Sequence, residues 1–106
     1  MIICPIIRRL AERFIKKSQG DATVKAITAK MEKRAEMGFI KYRQTLARRD
    51  LTRLGWLKHA QEEVLDLIAY LEAHDHHHGE YEALRCMQEQ AFVMATILES
   101  EIQKLS

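Results

Sequence analysis

The sequence predicts an all-α protein, a four-helix-bundle-type subunit suited to assembly as a dimer or tetramer. Three observations carry this. Apolar residues recur at helical spacing nearly throughout, and no stretch alternates as a strand does. Leu84, Ala91, Leu98 and Leu105 repeat every seven residues with Met87 and Met94 between them, the mark of a helix–helix seam. At 106 residues the chain has the length of one domain, 1–106, and a second copy would add usefully to so small a core.

The elements follow in order. A short first helix within residues 1–20 runs from Ile6 to about Lys17, with Ile6, Ile7, Leu10, Phe14 and Ile15 at helical spacing. Residues 18–21 stop it, and Asp21 is a good N-cap for the next helix. The core helices fill residues 22–105. The second helix runs from Ala22 to Tyr42, with Val24, Ile27, Met31, Ala35 and Tyr42 on one stripe. Residues 43–50 have no period and carry three arginines, so they read as a basic loop. Asp50 caps a third helix to about His74, although Gly55 favours a later start. Its core face is Leu57, Ala60, Val64, Leu67, Ile68 and Leu71. Residues 75–79 read as a turn, and a fourth helix runs from Glu80 to Leu105.

Composition excludes several classes. Hydrophobic residues at 47% and charged residues at 30% argue against disorder, and one Pro with four Gly argues against collagen-like or linker chains. No apolar run approaches the roughly 20 residues of a membrane span. The apolar start has Arg8 and Arg9 after it rather than before it, unlike a secretory signal. Cys4 and Cys86 form no metal motif and read as buried, reduced thiols of a cytoplasmic protein. Net charge is +2 but uneven: residues 1–58 hold 15 Lys/Arg against 5 Asp/Glu, and residues 59–106 hold 2 against 10. Either the halves compensate each other, or basic and acidic groups meet around a metal–polyphosphate ligand.

The acidic residues sit at telling positions. Glu63 and Asp66 lie roughly 60° apart and one turn apart, so both can reach one hard cation, with Glu62 beside Asp66. Oxygen-only ligation suits Mg²⁺ or Mn²⁺. Glu32 and Glu36 lie one turn apart at the edge of the second helix's apolar stripe. Solvated acidic faces are the alternative for both pairs. Lys41, Arg48, Arg49 and Lys58, with Lys33, Arg34 and Arg43, supply cations able to grip phosphate, although surface pairing is the commoner use. Trp56, Phe39 and Tyr42 suit either base stacking or core. His74, His76, His77 and His78 form a cluster, but adjacent histidines in a turn point in different directions, which disfavours a shared ion. His59 lies one turn before Glu63. Gly-rich phosphate loops, nucleophile elbows and HExxH are absent.

Residues 29–72 resemble the MazG-like all-α nucleoside triphosphate pyrophosphohydrolases, in particular their short phage-type members. The likeness rests on Arg34-Ala35-Glu36-Met37-Gly38, Lys41-Tyr42, Thr45 to Leu51, Trp56 to Asp66 and Tyr70-Leu71. The family pattern is ExxE, a gap of roughly a dozen to just under thirty residues, then ExxD. Glu63-Val64-Leu65-Asp66 matches the second half, and 26 residues separate Glu36 from Glu63. Two departures stand out: the first half reads Glu32-x-x-x-Glu36, with Lys33 where the pattern has Glu, and Arg43 replaces the usual glycine after Lys41-Tyr42. Glu36 is therefore the firmer match.

The resemblance implies hydrolysis of (deoxy)nucleoside triphosphates, purine dNTPs such as dGTP or dATP included, to monophosphate and pyrophosphate. It implies a divalent metal, Mg²⁺ or Mn²⁺, self-assembly as dimers or tetramers, and a cytoplasmic setting (a host's cytoplasm for a phage protein). Carried onto this chain, Glu36, Glu63 and Asp66 hold metal. Glu32 or Glu62 completes the shell or takes a proton from water, and Lys41, Arg48, Arg49 and Lys58 grip the triphosphate. The alternative is a non-enzymatic helical protein whose basic half contacts nucleic acid or another protein.

Overall fold

In the computed structural model the described residues are 5–17, 20–42 and 48–106, with only the backbone described at Lys41 and Tyr42. They form four helices and no strand: α1 (Pro5–Lys17), α2 (Ala22–Tyr42), α3 (Arg53–His78) and α4 (Glu82–Leu105). The chain divides into two compact units, Met1–Asp50 and Leu51–Ser106. The first pairs α1 with α2 and the second pairs α3 with α4.

In the first unit, Pro5 opens α1, where its missing N–H costs nothing. Ile7 and Ala11 are buried, while Leu10 and Ile15 are half-buried. Gly20, at φ 80°, donates its N–H to the Ile15 carbonyl at 2.9 Å and closes that end of α1. A side chain there would meet the left-handed backbone penalty and lie 3.3 Å from Lys25 Cε. Asp21 then caps α2 as expected: its Oδ1 accepts from Thr23 N at 2.8 Å and Val24 N at 3.2 Å. The inner stripe of α2 is Val24, Thr28, Met31, Ala35 and Phe39. Ile27, expected inside, is 49% exposed, and Thr28 takes its place at 3%. Thr28 can be buried because its Oγ1 donates to the Lys25 carbonyl at 3.0 Å, leaving no hydroxyl unpaired. The expected loop at residues 43–50 falls largely outside the described residues, as do Cys4 and the Tyr42 side chain.

In the second unit, the cap of α3 lies two residues beyond the expected one. Thr52 caps it, accepting from Gly55 N at 3.0 Å, while Asp50 is engaged with Arg48. Gly55 thus sits in the first turn rather than mid-helix, where its flexibility costs less. The helix also runs four residues past its expected end. Residues 75–78 are its last turn, not a loop, because nothing before Gly79 breaks the pattern. Gly79, at φ 88° and ψ 172°, ends it and donates to the Asp75 carbonyl at 2.9 Å.

Cross-helix contacts fix the pairing of α3 with α4. Gln61 meets Ala95 and Glu99, Gln88 meets Ile68 and Glu72, and Arg53 meets Glu101. Partners advance along one helix as they recede along the other, so the hairpin is antiparallel. The seven-residue seam on α4 is present at Leu84, Ala91 and Leu98, but its second row is Gln88, Ala95 and Ile102. Met87 and Met94, expected there, are exposed, as is Leu105 at the helix end. Two small residues facing α3, Ala91 at 1% exposure and Ala95 at 9%, permit close approach of the backbones. On α3 the facing residues Leu57, Val64, Ile68 and Leu71 are half-buried, while Ala60 and Leu67 are exposed, contrary to expectation.

Candidate functional site

Each carboxylate pair is set by its own helix. On α3, Glu63 and Asp66 lie one turn apart and are both exposed. Glu62 lies on their far side, with its Oε2 3.7 Å from His59 Nδ1. On α2, Glu32 is exposed and Glu36 half-buried, again one turn apart. These belong to different units, and each helix places its own pair. Among the described residues, no three His, Cys, Asp or Glu side chains gather closely enough to hold a metal ion.

What separates these carboxylates from most others is the lack of commitment. Glu72 accepts from Gln88, Asp75 and Glu80 face Arg85, Glu99 accepts from Gln61, and Glu101 meets Arg53 and Lys104. Glu32, Glu36, Glu63 and Asp66 have no ion pair or side-chain hydrogen bond among the described residues. Glu82 and Glu89 on α4 share that property but lie near no comparable acidic neighbour one turn away. Oxygen donors in this state suit a hard divalent cation, which favours carboxylates over nitrogen or sulfur.

The basic residues divide. Arg49 and Lys58 are exposed and unpaired among the described residues, free to meet an anion. Arg48 is engaged: its Nε and Nη2 both donate to the Asp50 carboxylate. That hydrogen bond holds the Asp50 carboxyl below its ordinary pKa and raises the Arg48 guanidinium in turn. A phosphate that takes the same edge of the Arg48 guanidinium must first displace Asp50. The expected role of Lys41 lies on a side chain outside the described residues. Trp56 and Phe39 are half-buried and keep a partly open face.

One polar cluster went unforeseen in the sequence. At the α3–α4 end, Arg85 Nε lies 2.8 Å from Asp75 Oδ2, and Arg85 Nη2 donates to Glu80 Oε1. The Arg85 pKa is raised, chiefly by the Glu80 hydrogen bond and then by the Asp75 charge. The signal was present: Arg85 and Lys104 are the only cations among the last 48 residues apart from histidines, against ten carboxylates. Cys86, expected to be buried, is exposed. A shallow groove along α4, floored by Phe92, Ala95, Thr96 and Glu99, contains none of the predicted residues. No described helix is long and apolar enough to cross a membrane. Comparison with family models, curated proteins and solved structures finds no match.

Proposed function

We propose that the chain is a metal-dependent hydrolase of (deoxy)nucleoside triphosphates, purine dNTPs such as dGTP and dATP among them, releasing monophosphate and pyrophosphate in the cytoplasm. The observation that carries this is the uncommitted state of Glu63 and Asp66, spaced one turn apart on α3 and open to solvent. It adds to the likeness of residues 29–72 to the MazG-like enzymes. Glu36, Glu63 and Asp66 fit Mg²⁺ or Mn²⁺ by donor type. Bound there, the ion supplies charge neutralisation and a more acidic water.

The side chains have separate tasks. Glu32 or Glu62 accepts the proton from the attacking water; Glu62 Oε2 lies 3.7 Å from His59 Nδ1, so a side-chain rotation brings the imidazole within reach as the next acceptor. Arg49 and Lys58 bind the triphosphate directly, with Lys41, and Arg48 joins them once released from Asp50. The chain assembles with itself as a dimer or tetramer. Support for assembly lies in the second unit, where Leu67 and Tyr70 of α3 and Met87, Met94 and Ile97 of α4 are all exposed. At roughly 100° per residue, these fall on the same flank of an antiparallel hairpin. An apolar face of that extent on a two-helix unit wants a covering.

The test is product analysis. Incubation with each dNTP and Mg²⁺ or Mn²⁺ yields pyrophosphate and nucleoside monophosphate in equal amounts. Glu63→Gln abolishes turnover with helical content unchanged. Release of orthophosphate alone, or no turnover of any nucleoside triphosphate, refutes the proposal.

A further inference from the structure

The C-terminal end of α3 carries His74, His76, His77 and His78, and its helical geometry changes what they can do. In a turn these rings would diverge. In a helix, positions i and i+4 share a face, and His74 and His78 are such a pair. Their ring centroids stand 5.3 Å apart with planes inclined by 43°. Two imidazoles bound to one tetrahedral ion at about 2.0–2.1 Å per nitrogen have centroids roughly 5 Å apart. The centroid separation therefore matches that of a chelating pair.

A second observation concerns the His74 ring. Its Nδ1 is shut off from solvent and has no hydrogen-bond partner, which leaves Nε2 as the nitrogen open to an ion. Tyr81 packs on it, with centroids 5.4 Å apart, and limits its movement. A ligating imidazole held by a neighbour loses less freedom on binding than a fully mobile one. The environment also favours a cation, since the carboxylates of Asp75 and Glu80 outnumber the one guanidinium of Arg85 between them. The turn is the carbonyl end of a 26-residue helix, where the helix dipole is negative.

The other histidine pairs fit less well. His77 and His78 stand 6.5 Å apart. His76 and His77 are 4.9 Å apart but are adjacent in sequence and nearly perpendicular, at 77°, an edge-to-face contact rather than a shared vertex.

We infer that His74 and His78 form a two-imidazole chelate for a borderline transition ion of the Zn²⁺, Ni²⁺ or Cu²⁺ class. Nitrogen donors select these ions over Mg²⁺. Among the described residues no third His, Cys, Asp or Glu joins the pair, so water or an external ligand fills the remaining positions. The site is exchangeable rather than structural. It is separate in residues and in ion class from the carboxylates proposed for nucleotide hydrolysis.

Zinc titration of the full chain, followed by imidazole proton signals and by calorimetry, tests this. The wild type takes up Zn²⁺ with the His74 and His78 signals moving together, and a chelator reverses the change. His78→Ala and His74→Ala each lose the binding, while His76→Ala, His77→Ala and His59→Ala keep it. Mg²⁺ moves neither signal. Because His74 packs against Tyr81, its variant is checked for helical content, and the exposed His78 provides the independent arm. Retention of zinc affinity by His78→Ala, an equal loss in His76→Ala or His77→Ala, or no uptake by the wild type overturns the inference.

Discussion

Gln88 is the polar residue on which the α3–α4 packing depends most, and its removal has a calculable cost. It is only 6% exposed, and its Nε2 donates to the Ile68 carbonyl at 3.2 Å and to Glu72 Oε2 at 2.9 Å. A neutral hydrogen bond contributes about 1 kcal/mol net, and one to a charged acceptor about 1.5–3. Glu72 is exposed, so the lower end applies to the second bond. Gln88→Ala thus loses about 2–3 kcal/mol, including the space vacated between the helices. Gln88→Leu keeps most of the volume, recovers apolar burial and loses about 1 kcal/mol. Glu89 faces away on the next position and serves as the control, with Glu89→Ala within about 0.5 kcal/mol of wild type. Urea unfolding followed by helical circular dichroism measures all three. Gln88→Ala as stable as Glu89→Ala would refute the observed seam and restore the row through Met87 and Met94.

Three further outcomes are expected. Gly79→Ala destabilises the second hairpin by about 1–3 kcal/mol, although its side chain would meet open space, because φ 88° with ψ 172° is a region essentially confined to glycine; thermal unfolding checks it, and an unchanged midpoint contradicts it. Asp21→Ala costs about 1 kcal/mol and speeds amide exchange at Thr23 and Val24, whose N–H groups lose their acceptor. The Asp50 carboxyl titrates below an ordinary aspartate, so its pairing with Arg48 favours the folded state above the unfolded carboxyl pKa and is lost as pH falls through the depressed value. Carboxyl-carbon NMR titration reads this directly: Arg48→Ala returns Asp50 to the ordinary range, and a nucleotide that captures Arg48 does the same.

How far the sequence revealed the fold depended on whether a signal was local. Asp21 and the run to Tyr42 delimited α2 at both ends, because an N-cap and a continuous period are properties of neighbouring residues. The seven-residue repeat through Leu84, Ala91 and Leu98 was equally visible. The second seam row was not. Gln88 looks like a surface residue until Ile68 and Glu72, 20 and 16 positions earlier, provide its acceptors. Thr28 displaced Ile27 for a similar reason, its hydroxyl being satisfied by its own helix. The α3 extension was hidden because histidine and aspartate resemble turn residues, whereas only Gly79 has the backbone that ends a helix.

The candidate site divides along the same line. The spacing of Glu63 and Asp66 follows from helical geometry alone and was legible. The commitment of Arg48 to Asp50 depends on the path of a short non-helical segment, which no periodic pattern records.

Divalent-ion affinity tests the central proposal most directly. Mn²⁺ binding, read by electron paramagnetic resonance of the free ion, is expected for the wild-type chain and lost in Glu36→Gln, Glu63→Gln and Asp66→Asn, each still helical. Undiminished Mn²⁺ uptake by all three variants would contradict the assignment of these carboxylates as the metal ligands.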